Sequence, residues 1–138
     1  MVSKALYRSG NYYEQKTAHL FRYDGYTVWQ TRGSHGPADL ICAKPMQLVL
    51  VQVKSGIRPI GGNDWNALFG LAADAGAIPV LAEWRPPDKP LPGSALLLCL
   101  WRLLNTHQAH KHTWPMEPFV LDEVDAAVSR HPSAGGAR

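Results

Sequence analysis

The amino-acid sequence predicts an α/β fold: a single domain on a central mixed five-stranded sheet flanked by helices, in the order α-β-β-β-α-β-β-α. Three observations carry this expectation. The chain has 138 residues, one domain's worth and enough for a real core. Apolar residues make up 46% and charged residues 18%, the balance of a globular chain rather than a disordered one. Stretches of helical spacing alternate with five short apolar runs of strand length. The folded domain is expected over residues 1–131, and residues 132–138 read as a disordered tail.

Residues 10–24 form the first helix. Tyr13, Thr17, Ala18, Leu20 and Phe21 recur at helical spacing, while Gln15, His19 and Arg22 fall on the other side. Gly10-Asn11 starts it and Asp24-Gly25 ends it. Glu14 shares the side of Ala18 and Phe21, so a carboxylate borders the buried stripe. Tyr26 to Arg32 alternates as a strand, and 32–37 is a loop. Asp39 to Ala43 and Leu48 to Lys54 are two apolar runs around Lys44-Pro45-Met46-Gln47, a tight turn with proline at its second position. With Pro45 and Met46 as the central pair, Asp39 lies opposite Gln52, and strand periodicity puts Lys54 on that same face. Proline does not suit the primed hairpin turns, which leaves room for a slip of a residue or two.

Ser55 to Gly62 reads as a loop. Asn63 is placed as the N-cap of a helix from Asp64 to Ala75, ended by Gly76. Ile78 to Glu83 is a strand. Arg85 to Gly93 holds four prolines and is expected as an extended surface loop. Ala95 to Arg102 is apolar on both faces, which predicts a central strand. Asn105 to Pro118 reads as a polar, His-rich loop and Asp122 to Arg130 as a short helix.

The formal charge is +3 and the pI near 9.0, a mild basic excess that permits a polyanionic partner without demanding one. The longest apolar run, Ala95 to Leu104, is too short to span a bilayer and is interrupted by Arg102. Met1-Val2-Ser3-Lys4 lacks the core of a signal peptide. Cys42 and Cys99 both sit in apolar strands and read as buried and reduced, which suits a cytoplasmic protein. There are no internal repeats.

The chemistry concentrates in Gly36-Pro37-Ala38-Asp39 and Gln52-Val53-Lys54. A lysine and a polar chelating side chain ending a run as apolar as Leu48-Val49-Leu50-Val51 are out of place in an ordinary core. They suit a site that holds a divalent cation and breaks a phosphodiester bond. Mg²⁺ needs a few oxygen ligands and retains several waters. Asp39 is the strongest ligand candidate, Gln52 offers its amide carbonyl, and the backbone carbonyl of Val53 is near. Lys54 suits orienting the attacking water or stabilising charge on phosphorus. Glu14 completes the set through water on the ion.

These pieces resemble the PD-(D/E)xK nuclease superfamily, most of all its Holliday-junction-resolvase branch, which archaea and some phages carry. Glu14 lies in the first helix, Arg32-Gly33-Ser34 precedes the acidic strand, Asp39 starts the second strand, and Gln52-Val53-Lys54-Ser55 matches the family's Glu-x-Lys-Ser with glutamine for glutamate. The likeness covers roughly residues 8–82. It implies a restriction-endonuclease-like fold, catalytic Glu14, Asp39, Gln52 and Lys54, a Mg²⁺ cofactor replaceable by Mn²⁺, branched or four-way DNA as substrate, and a homodimer in the cytoplasm (the host's, if phage-encoded). The glutamine removes one unit of ligand charge, which places more weight on Glu14 and leaves open a non-cleaving protein.

Plainer readings stand beside these. Gln52 and Lys54 alone suit the solvated end of a strand, and Glu14 suits a surface carboxylate paired with Lys16 or Lys4. On the nuclease reading Lys4, Arg8, Arg32, Ser34, His35 and Arg58 contact DNA phosphates; otherwise they are ordinary surface residues. The spacing of His107, His110 and His112 fits no compact zinc site. Trp65, Leu68 and Phe69 read as core or dimer contacts, and Trp84 and Trp101 as core.

Overall fold

The structure, a computed structural model, describes residues 10–31, 36–57, 59–89 and 92–122. Its elements run α1 (Gly10–Tyr23), β1 (Thr27–Gln30), β2 (Leu40–Lys44), β3 (Gln47–Ser55), α2 (Gly62–Ala75), β4 (Ile78–Arg85), β5 (Leu97–Leu103) and β6 (Met116–Pro118). The strands form one sheet in sequence order. Every neighbouring pair is antiparallel except β3 and β4, which run parallel and are joined by the crossover through α2.

The β2–β3 hairpin has the register expected from its turn: Leu40 faces Val51 and Lys44 faces Gln47. Proline followed by Met46 at φ 65 is the conformational order of a type II turn, and Met46 projects fully into solvent. Alternation along β3 then splits the core in two. Val49, Val51 and Val53 pack with Tyr13, Ala18 and Phe21 of α1, whereas Leu50 packs with Trp65, Leu68 and Ala72 of α2. The helices thus cover opposite faces. A buried pair of hydrogen bonds ties α1 to β4: Thr17 Oγ1 donates to the Tyr13 carbonyl at 2.7 Å and accepts Trp84 Nε1 at 2.9 Å.

Four expectations need correction. Among the described residues the sheet has six strands, not five. The additional strand is the segment Met116–Pro118, whose three exposed residues show no apolar alternation and so read as loop. β5 is not central: it lies between β4 and the short β6, and α2 covers only its Trp101–Leu103 end. Leu97 is therefore half exposed, and Cys99 is exposed rather than buried. Cys42 is buried as expected, and burial pushes its thiol up to about 12. Asn63 does not cap α2; the helix starts at Gly62 behind an extended Gly61, with no side-chain cap bond. Its other end closes as expected, on Gly76 in the left-handed region at φ 65. The expected helix over 122–130 and the tail lie, beyond Asp122, outside the described residues. Among those residues no helix is long and apolar enough to cross a membrane.

Candidate active site

Asp39 stands one residue before β2, and its backbone is bonded to the segments on both sides. Its N–H donates to the Val51 carbonyl at 2.7 Å, and its carbonyl accepts the Thr31 N–H at 2.9 Å. The paired register ends at Leu40 and Val51, and the Asp39 N–H still bonds Val51, which keeps Asp39 beside Gln52 at the mouth of the same cavity. The carboxylate reaches across the strand pair, where Oδ2 accepts the Val53 N–H at 2.8 Å in a buried bond. Gln52 and Lys54 share a sheet face with Asp39 because the side-chain period of a strand is two. A lysine there keeps its ammonium reachable, since the sheet face runs out toward the first turn of α2.

Glu14 arrives from the opposite side of the sheet, on the margin of α1. Gln30 of β1 holds it: Nε2 donates to Glu14 Oε1 at 3.3 Å and to Asn11 Oδ1 at 2.7 Å. Lys54 Nζ lies 3.8 Å from Oδ2 of Asp64, the second residue after α2 begins. Glu14, Asp39, Gln52, Val53, Lys54 and Asp64 line one open cavity of about 520 Å³.

The electrostatics are those of crowded anions. Burial raises the Asp39 carboxyl above its ordinary value; the Val53 hydrogen bond and the Lys54 charge pull it down, and Asp64 pushes it up again. Burial and then the charge of Asp39 raise Glu14, against a lowering by the Gln30 hydrogen bond. A cation placed among these groups would relieve the desolvation and the mutual repulsion together, so the donor set fits a divalent ion. Among the described residues, no three His, Cys, Asp or Glu side chains lie close enough to hold a metal by themselves. Gln52 is neutral, and its amide carbonyl stands beside these carboxylates as a further oxygen donor.

Glu14, Asp39, Gln52, Val53 and Lys54 line the same cavity. Lys4, Arg8, Arg32, Ser34, His35 and Arg58 lie outside the described residues. Asp64 is the cavity residue that sequence reasoning missed. The available signal was an acidic residue in the first turn of the helix that follows Lys54, but helix N-termini attract carboxylates for their own reasons. Gln30 and Asn11 gave no signal, because their role depends on β1 lying beside α1.

A family profile described as restriction endonuclease, Mrr_cat, matches residues 7–81, more than half of the chain. Among solved structures the chain is similar to Hjc from Archaeoglobus fulgidus, described as a Holliday junction resolvase from an archaeal hyperthermophile. The TM-score is 0.55 at 14% identity, covering 70% of this chain and 77% of that one, a likeness of fold. No curated protein matches the chain significantly.

Proposed function

The chain belongs to the Mrr_cat restriction endonuclease family, of the PD-(D/E)xK type, and from that premise we propose that it is a metal-dependent endonuclease acting on branched DNA. The nuclease domain spans residues 1–131 on this reading. The observation that carries the proposal is the convergence of Asp39, Gln52 and Lys54 on one sheet face with Glu14 at the same cavity. Restriction-endonuclease-like domains generally use divalent metals, and here Mg²⁺ is the ion of choice, with Mn²⁺ as its substitute. Asp39, the Gln52 amide carbonyl and the Val53 carbonyl would hold it, with Glu14 joining through water. When bound, the ion lowers the pKa of water and neutralises phosphate charge.

The chain's own residues do the rest. Asp39 is fixed by the Val53 N–H, so its carboxylate is set before substrate arrives. The Lys54 ammonium faces the same cavity and suits the charge that develops on the phosphoryl oxygens. Gln30 fixes Glu14, which orients water at the cavity rim. The fold likeness to a Holliday junction resolvase supports a branched substrate, four-way junctions above all, and a two-fold symmetric homodimer that sets two sites on opposed strands. Binding should fall steeply with salt, because phosphate contacts release counterions.

The neutral Gln52 beside Asp39 favours a second reading, a nucleic-acid-binding subunit that does not cut. A third is another endonuclease of this fold, of repair, restriction or homing type. One experiment separates them. Purified protein is given a synthetic four-way junction, a linear duplex and a single strand, with Mg²⁺ or Mn²⁺. Cleavage confined to the junction supports the proposal. Tight junction binding without cutting in either metal overturns it for the second reading, and sequence-dependent duplex cutting for the third.

A further inference from the structure

The segment 104–115 does more than join β5 to β6. It is closed on itself by reciprocal backbone bonds between Gln108 and Thr113, at 3.1 and 3.2 Å, and by His107 Nδ1 at 2.8 Å from the Thr113 carbonyl. The closed loop grips the first turn of α2 at three points. Trp65 Nε1 donates to the Asn105 carbonyl at 2.8 Å, and Asn66 Oδ1 accepts the His107 N–H at 2.7 Å. The His107 ring lies over Gly62, where an added Cβ would come within 3.1 Å of its Cδ2. That ring stacks on Trp114 (centroids 3.7 Å apart, planes at 20°), and Trp114 meets the buried Trp65 edge-on at 5.1 Å. Asp64 sits inside the gripped turn, between Gly62 and Trp65, with its carboxylate toward Lys54.

We propose that this loop is a clamp that sets the first turn of α2, and that Asp64, so held, orients the Lys54 ammonium in the site. His107 and Asp64 are then positioning residues; the proposal rests on the nuclease reading of that site. The reason is mechanical. The Asp64 side chain is 60% exposed, and an ion pair so open to water holds little by itself. Its place depends on the turn beneath it. The first turn of a helix leaves its N–H groups without intrahelical partners, and no side chain caps this one. The contacts from 105, 107 and 114 supply the fixing that a capping residue would otherwise give.

The test uses the full chain and the variants Gly62→Ala, His107→Ala and Asp64→Asn, with lysine-¹³C protein to follow the ε-methylene signal of Lys54. Gly62→Ala crowds His107 yet favours helix, so its Tm should hold or rise. Its kcat should nevertheless fall about fivefold, the size of a coupling through packed neighbours. Asp64→Asn should lower kcat similarly, and the double variant no further, because the two act through one contact. All three substitutions should move the Lys54 signal while that of Lys16 stays. An unmoved Lys54 signal in Gly62→Ala or Asp64→Asn, or effects on kcat that multiply, overturns the clamp. If the unmodified chain cuts no DNA, the nuclease reading fails, and the Lys54 signal still decides the clamp.

Discussion

The carboxylate of Asp39 and the amide of Val53 are joined at 2.8 Å across the β2–β3 pair, in a bond buried from water. One side chain therefore serves both the ladder and the cavity, and substitutions at Asp39 should separate the two roles.

Asp39→Asn keeps an acceptor for Val53 and is expected to abolish cleavage, with stability in metal-free buffer at or above the parent because burial penalises the ionised carboxylate, and DNA affinity close to the parent. Asp39→Ala should abolish cleavage too, and also destabilise by about 1–3 kcal/mol, the cost of a buried N–H left without a partner. Cleavage assays, junction titrations and denaturant melts of both variants check this. Equal stability of the two would mean that the Val53 bond contributes nothing.

Gln52→Glu puts a carboxylate beside Asp39 in place of a neutral amide. Cutting at low Mg²⁺ should be retained or raised, and Ca²⁺ should bind more tightly by calorimetry. Without a cation the new charge joins two carboxylates already raised by burial, so the metal-free variant should be less stable than the parent. A folded variant that loses all cleavage would give the glutamine a role beyond that of a weak ligand.

Glu14 titrates above its ordinary 4.5 in the folded chain, because of burial first and Asp39 second. A carboxyl raised on folding binds its proton more tightly in the folded state. Stability is therefore full below the ordinary value and is lost as pH rises through the raised one. In metal-free buffer, Glu14→Gln should gain on the parent as pH climbs through that window, read as the difference in urea midpoint. The gain should shrink when a divalent cation is added. A difference that stays level or falls with pH would contradict the crowding of Glu14 and Asp39.

Thr17→Val removes the acceptor of a buried indole N–H and is expected to destabilise by about 1–3 kcal/mol, with Thr17→Ser recovering most of it. Because this bond docks α1, which carries Glu14, cleavage by Thr17→Val should also fall more than its folded fraction explains. Thermal melts beside kcat for both variants test the point.

The hairpin was legible because its determinants are local. Pro45 and Met46 set the turn, the turn sets the register, and the register brings Asp39, one residue before Leu40, to the cavity that Gln52 lines. What was not legible depends on neighbours remote in sequence. Leu97 and Cys99 read as core from their own composition, but burial of that face depends on how far α2 extends over it. Met116–Pro118 becomes a strand only because β5 offers an edge. Asn63 looks like a cap because of its residue type, yet the helix begins where the clamp loop holds Gly62. Asp64 enters the cavity for the same reason, through a contact about forty residues away in sequence that no local pattern encodes.

The last strand among the described residues, Met116–Pro118, is three residues long, exposed throughout, and ends in an imino acid set against Trp101. An edge so short, finished by a residue with no N–H to donate, offers a passing chain almost nothing to zip onto. The hydrophobic runs of β3 and β4 stay sealed in the interior of the sheet, and at this margin the protein carries its own protection against fibrillar self-association.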